Sequence, residues 1–247
     1  VNRALVGLLL VLGAGSLAGQ TVNDLVLMSE EFPPYNFEAG GVKQGTSIDL
    51  MERVLQLVGS KLTRNDITIL PWARAYLALQ ADRNAVLFAT TRTPAREALF
   101  QWVGPISAAK NVLIAPKSRR LKVRSVADLK GLTVGVIFDD AGQQLVEALG
   151  LPASQEELAP DADSDVRKLM AGRVDVIAYD ENVTRWLLKE NGANPNDYES
   201  VYVLAEGQHY FAFNRQVPDT VIRQMQAALD TLKKTGEYEK IQKKYLF

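Results

Sequence analysis

Residues 88–104 read F-A-T-T-R-T-P-A-R-E-A-L-F-Q-W-V-G. The segment opens as the end of a buried strand, Ala85, Val86, Leu87 and Phe88, and then turns polar through three threonines, two arginines and a proline before Ala98, Leu99 and Phe100 resume the apolar run. Hydroxyls and a guanidinium just past a strand's carboxyl end are what an α/β protein uses to hold a small polar ligand. Arginine suits that task because its planar fork binds a carboxylate through two parallel hydrogen bonds. A solvated turn with a surface arginine is the competing interpretation, and the flanking segments arbitrate.

Upstream, residues 25–29 form a short apolar strand running into Glu30-Glu31-Phe32-Pro33-Pro34-Tyr35-Asn36-Phe37, an aromatic loop stiffened by two prolines. Gly40, Gly41 and Gly45 extend the loop, and Thr46 or Ser47 is placed to cap a helix whose Met51, Val54, Leu55 and Val58 share one face. Residues 67–70 form a second strand, Pro71 opens a helix through Trp72, Arg74, Tyr76 and Leu79, and residues 84–88 form a third strand. This β-α-β-α-β alternation predicts a mainly parallel sheet flanked by helices. Its ligand edge lies at the strands' carboxyl ends: the 29–37 loop beginning at Ser29, the 71–74 turn and the 90–96 turn.

A second, similar unit follows. Residues 112–115 form a strand, Ser125 through Leu129 make a capped helical turn, and residues 132–138 form a strand leading through Asp139-Asp140-Ala141-Gly142 into a helix that ends at Leu149. Residues 164–171 are helical, residues 174–178 form a strand ending in Tyr179-Asp180-Glu181, and a helix carries Trp186, Leu187 and Leu188. Residues 201–204 and 210–213 are the last strands. Val221, Ile222, Met225, Leu229 and Leu232 then form a helical apolar stripe, followed by Gly236 and a short helix over 238–245.

Composition narrows the function classes. At 247 residues with 23% charged and 47% hydrophobic residues, the chain suits two modest domains or one large globular one. A net charge of −1 gives no reason to expect nucleic acid, and no basic run suggests a membrane surface. The absence of cysteine excludes disulfides, thiolate metal sites and cysteine nucleophiles. His209 is the only histidine, lies beside the expected second crossover and reads as structural; no metal site and no cofactor is expected.

Arg3, the apolar run 4–17 and the small residues Ser16, Ala18 and Gly19 form the pattern of a signal peptide over residues 1–19, with a buried N-terminal helix as the alternative. Leu17-Ala18-Gly19 resembles the start of a lipoprotein box, but Gln20 stands where the acylated cysteine would be, so no lipid anchor is expected there. The expected mature protein begins near Gln20 and is soluble in a bacterial periplasm.

In their order, these landmarks resemble the family 3 extracellular solute-binding proteins, the polar amino-acid receptors of bacterial ABC importers. The resemblance rests on residues 32–37, on Thr91-Arg92-Thr93-Pro94-Ala95-Arg96 with Gly104-Pro105-Ile106, on Ser125–Val136 around Lys130-Gly131-Leu132, on Ala171-Gly172-Arg173-Val174-Asp175 with Asp180-Glu181, and on Gly236-Glu237-Tyr238 with Lys244-Tyr245. It implies a two-lobed periplasmic-binding-protein fold in which each lobe is a mainly parallel sheet flanked by helices and the ligand cleft lies between them. Lobe 1 would be 22–109 with 208–247 and lobe 2 would be 110–207, closing like a hinge. The implied partners are a small polar ligand, an amino acid or an amine, and an ABC permease in the inner membrane. A monomer suits such docking, and no catalysis is implied.

Carried over by position, Arg96 would bind the ligand's α-carboxylate, Asp180 its α-ammonium, Thr91 would support the carboxylate, and Phe32 would pack on the ligand. Arg96 could instead pair with Glu97, and Asp180 could cap the following helix or serve both ends. Asp139 and Asp140 stand where the family often has Gly-Thr-Thr, where they would either cap a helix or repel a ligand carboxylate. Glu30 and Glu31 lie near the expected mouth; with those aspartates in the cleft they would favour a cationic ligand, whereas Arg74 and Arg92 would offset them. Trp72 could stack on the ligand or belong to the core. Two other classes remain open: a cyclohexadienyl-dehydratase-like enzyme using cleft carboxylates, and a sensing partner docking in trans on a membrane receptor, a covalently attached kinase or channel not being expected after the family's last helix.

Overall fold

The computed structural model describes residues 20–245, so the expected signal peptide lies outside the described residues. β1 (Val26–Ser29) leads to a hairpin of β2 (Phe37–Ala39) and β3 (Val42–Gln44), then to α1 (Thr46–Leu57), β4 (Thr68–Ile69), α2 (Trp72–Ala81) and β5 (Ala85–Thr91). β6 (Phe100–Pro116) crosses to β7 (Val134–Ile137), α3 (Ala141–Ala148), β8 (Glu156–Ala159), α4 (Ala162–Met170), β9 (Val176–Asp180) and α5 (Glu181–Glu190). β10 (Tyr198–Asn214) crosses back, followed by α6 (Asp219–Lys234) and α7 (Glu237–Tyr245).

Eight strands form one sheet in the order β4-β1-β5-β10-β6-β9-β7-β8. β4, β1 and β5 are mutually parallel, as are β9, β7 and β8, and the long β6 and β10 join the two triplets by antiparallel pairing. Following those pairings, β5 runs in the direction of β6 and β9 runs against it. The two triplets therefore point their carboxyl ends at each other. Because parallel α/β sheets bind ligands at those ends, both halves of this two-lobed α/β fold aim their binding edges at one junction.

Sequence accounts for much of this. Met51, Val54 and Leu55 bury one face of α1, and Val221, Met225, Leu229 and Leu232 bury the stripe of α6, each large side chain contributing roughly 1.5–3 kcal/mol. Ser125 and Asp128 form a capping box over the turn Val126–Leu129. The crossovers differ from expectation: residues 112–115, 201–204 and 210–213 are parts of two continuous 17-residue strands, not separate short ones. β5 also runs on through Thr91, so the polar turn starts later than expected. No helix among the described residues is long and apolar enough to cross a membrane.

The aromatic loop is anchored on the N-terminus of α1. Thr46 and Ser47 donate backbone hydrogen bonds to the carbonyls of Pro34 and Tyr35, at 3.2 and 2.8 Å. Gly45, at φ 121°, makes this approach possible, since a Cβ there would sit 2.4 Å from the Tyr35 carbonyl oxygen. Gly45→Ala is expected to cost about 1–3 kcal/mol, read as a lowered urea midpoint with circular dichroism; an unchanged midpoint would mean that the loop is not fixed by this contact.

Candidate functional site

Every parallel strand delivers polar or aromatic residues to the junction. β1 ends at Ser29 and hands on to Glu30 and Phe32; β4 is followed by Trp72, and β5 by Arg96. From the opposite side β7 is followed by Asp139 and Asp140, β8 by Asp161, and β9 ends on Tyr179 and Asp180.

Arg96 is the pivot of the first group. Only 1% exposed, it lies over the rings of Trp72 and Tyr76, with its guanidinium carbon 4.8 and 5.0 Å from their centroids. Its Nη2 donates to the Asp139 carbonyl at 2.9 Å, its Nη1 to the Thr91 carbonyl at 3.4 Å, and its Nε has no partner. Glu97 does not pair with it; that carboxylate holds Arg92 instead, on the outer face. Buried cations are ordinarily matched by an anion. Here both hydrogen bonds of the guanidinium end on neutral carbonyls. Thr91 thus supports Arg96 through its backbone, and Asp139 reaches it through its own carbonyl from the other half of the molecule. Ser29 is fully buried and donates to the Glu30 carbonyl at 3.4 Å.

Asp140, Asp161 and Asp180 cap α3, α4 and α5, each accepting backbone N–H bonds of its own helix. Each of the three helix N-termini of the β7 side thereby has one or two of its free N–H groups met by the chain itself. Asp180 is engaged further: its other oxygen accepts from Lys110 N at 3.3 Å and faces His209 Nε2 at 3.9 Å. Its role as helix cap is a feature of the fold, and its second oxygen is the one turned toward β6 and His209.

Phe32, expected to pack on the ligand, is the centre of an aromatic cluster whose other members, Tyr35, Tyr179 and His209, the sequence did not assign to the site. Phe32 stacks on Tyr35 at 5.2 Å and meets Tyr179 and His209 edge-on at 5.6 and 5.4 Å. Tyr35 accepts from Asn182 Nδ2 at 3.0 Å and donates to the Ala108 carbonyl at 3.4 Å, tying the loop to α5 and β6. His209 Nδ1 is 2.9 Å from Ser107 Oγ, while its Nε2 and the Tyr179 hydroxyl are buried without partners. The ring of His209 is fully buried where the crossing strands meet. Its only sequence signal was its place near a crossover.

Carboxylates predominate. Burial pushes Glu30 well above the usual range, and the nearby Asp140 adds to the effect while Arg96 opposes it. Burial likewise raises Asp140, and raises Asp180 to about 7 against its N–H donors. Asp165 on α4, 1% exposed with both carboxyl oxygens unpartnered, is also pushed up by burial to about 7. Burial drives His209 down to about 3.

A cavity of about 610 Å³ opens between the halves, lined by Glu30, Trp72 and Phe37 from one side and by Ile137, Asp161 and Trp186 from the other. Of the expected ligand residues, Glu30 and Trp72 line it. Arg96, Phe32, Asp180, Asp140 and Ser29 sit in the buried junction instead, and Arg74 and Arg92 line neither. Trp72 does double service, stacked on Tyr76 at 5.2 Å in the core while bordering the cavity. Among the described residues, no group of three or more His, Asp or Glu side chains is arranged to hold a metal.

A sequence profile of the bacterial extracellular solute-binding proteins, family 3, matches residues 25–247. A probable histidine-binding protein of Neisseria gonorrhoeae is 26% identical over 225 residues, covering 89% of this chain and 81% of that relative. The sensor domain of a histidine kinase with similarity to periplasmic binding proteins superposes with a TM-score of 0.79 at 20% identity, over 90% of this chain and 96% of the other. An ancestral arginine-binding protein bound to arginine superposes at 0.76 with 24% identity, over 92% and 100%.

The buried groups make stability depend on pH with opposing signs. Asp165 keeps its proton to about 7 in the folded state and releases it near 3.8 when unfolded, so stability falls as pH rises between those values. His209 stays neutral to about 3 when folded but takes a proton near 6.5 when unfolded, so stability falls as pH drops through that interval. Asp165→Asn is expected to flatten the decline in melting temperature between about pH 5 and pH 7 while leaving the acid-side loss in place. An unchanged pH profile would show that the Asp165 carboxyl is not held uncharged by its burial.

Proposed function

Because the chain belongs to the family 3 bacterial extracellular solute-binding proteins, we propose that it is an exported, non-catalytic receptor. It captures a small polar solute, an amino acid in the first instance, and delivers it as a monomer from the periplasm to an ABC permease in the inner membrane. In this reading lobe 1 is 22–109 with 208–247, lobe 2 is 110–207, and β6 and β10 are the hinge between them. Solute touching both lobes favours the closed population.

One observation carries the proposal: Arg96 is a buried guanidinium whose hydrogen bonds go to carbonyls, with Nε unpartnered, at the junction of both halves. A solute carboxylate supplies the missing counter-charge. Asp180 then takes the solute's ammonium on its less engaged oxygen, and Phe32 backs the pocket. The probable histidine-binding relative and the arginine-bound structural neighbour support an amino acid as the solute class.

Charge-assisted hydrogen bonds are worth roughly 1.5–3 kcal/mol each, so Arg96→Ala is expected to weaken binding of the cognate amino acid by about two orders of magnitude or more in isothermal titration. Full affinity in Arg96→Ala would remove the carboxylate anchor and the reading with it.

The upward shift that burial gives the carboxyls of Glu30 and Asp180 favours one second reading, an enzyme of cyclohexadienyl-dehydratase type that uses Glu30 or Asp180 as a general acid. Turnover of prephenate-like acids, lost in Asp180→Asn or Glu30→Gln, would replace the receptor reading; binding of an amino acid without turnover excludes the enzyme.

A further inference from the structure

Net charge and run length give no hint of a charged surface, yet the fold builds one at the end of lobe 2 remote from the junction. β6 leaves the junction where Asn111 pairs with Asp180, and runs on to Pro116. Residues 117–130 follow there, before β7 begins at Val134. They hold six cations, Lys117, Arg119, Arg120, Lys122, Arg124 and Lys130, against one acid, Asp128, in a chain whose net charge is −1. Leu121 and Val123 interrupt the run in sequence. In the fold both pack inward on the apolar cluster that includes Leu113, Leu129 and Val134, while all six cations are exposed. The two apolar residues thus anchor the segment and leave its outer surface to the charges.

Little of this charge is answered locally. Arg119 pairs with Asp175, whose other carboxyl oxygen accepts from the backbone of Thr133, so this one cation pins the segment to the starts of β7 and β9. Among the described residues the other five form no ion pair. Asp128 is taken up by its own turn, accepting from the backbone of Arg124 and Ser125 and from the Ser125 hydroxyl. Asp197 comes near at the margin, where it shares a shallow depression with Lys117. Arg173, also exposed, adds a cation just before β9. Like charges gathered in this way raise the potential over the surface and attract anions.

Three kinds of anion fit a positive surface. A small free anion needs converging, sheltered donors, and these side chains are all exposed. A folded protein partner needs an apolar or aromatic anchor at the centre of its footprint, and such centres are poor in lysine. Here the apolar residues face inward. An anionic bilayer needs neither, since its surface potential attracts any cluster of roughly four to eight Lys and Arg side chains.

We propose that residues 117–130 are a docking surface for an anionic phospholipid bilayer, held by charge and without insertion. The inference goes beyond the solute-binding reading and is independent of which solute is bound. Because the surface lies at the far end of lobe 2, docking leaves the junction between the halves uncovered.

Flotation of the full chain with lipid vesicles tests this, comparing phosphatidylcholine alone with phosphatidylcholine containing about a third phosphatidylglycerol. The chain is expected to bind the phosphatidylglycerol vesicles about tenfold or more better at about 0.05 M NaCl, and to lose that preference at about 0.5 M, where screening is strong. Binding through the apolar residues 4–17 would be the same on both vesicles and indifferent to salt. Arg120→Gln, Lys122→Gln and Arg124→Gln together should lower the preference about tenfold or more, whereas Arg120→Lys with Arg124→Lys keeps the charge and should retain it. Lys234→Gln, Lys240→Gln and Lys243→Gln together remove the same charge from exposed positions on α6 and α7, and should change nothing. Every substituted residue is exposed, so melting temperature and solute affinity should match those of the unsubstituted chain. Equal binding to both vesicles, a preference that survives the 120–124 variant, or the same loss in the α6 and α7 variant overturns the bilayer surface. So does binding of poly-L-glutamate with none to either vesicle, which would assign the segment to an acidic protein. In each of these outcomes the solute-binding reading stands, because none of the substituted residues lies at the junction.

Discussion

The antiparallel pairing of β6 with β10 is the constraint from which the site follows. Two short parallel triplets, each with its helices, could be assembled in many relative orientations. Splicing them through two long strands of opposite direction forces their carboxyl ends to face one another. Residues far apart in the chain then become neighbours: Arg96 reaches the Asp139 carbonyl, and Tyr35 reaches both Ala108 and Asn182. The same two strands are the covalent connections between the halves in the middle of the chain.

Electrostatically the junction is unbalanced. Glu30, Asp140, Asp165 and Asp180 are all nine-tenths buried or more, and the guanidinium of Arg96 is the cation among them. Desolvation answers part of the imbalance by raising the carboxyls so that they hold protons nearer neutrality. Backbone N–H groups answer another part at Asp140 and Asp180, where the helix caps favour the charged form. Glu30 has the first of these but not the second: burial raises it, and among the described residues no backbone N–H is bonded to its carboxyl group.

Local signals in the sequence carried a good share of the fold and of the site. The caps at Asp140 and Asp180, the box of Ser125 and Asp128, and the stripe of α6 depend on residues within a few positions of one another, so they can be read without the fold. What could not be read depends on pairing at a distance. Gly104-Pro105 looks like a strand break, but it falls where the ladder shifts between the Val103–Phe211 and Ser107–His209 pairs, so Pro105 interrupts no regular bond and β6 continues. β8, with Glu156 and Glu157 at the sheet's edge, resembles a polar loop. His209 offers no periodic clue, since its place against Asp180 and Ser107 is set by strand register. The acidic cavity draws on segments around residues 30, 38, 161 and 190, and no window of sequence contains them together.

The three capped helices of the β7 side give the junction a direction. Helix N-termini are the usual cradle for an anion, yet α3, α4 and α5 each have that cradle filled by an aspartate of the chain itself. The N-termini of α3, α4 and α5 thus each carry a carboxylate of the chain itself at the junction, and Arg96 from the facing half reaches across to the Asp139 carbonyl beside them.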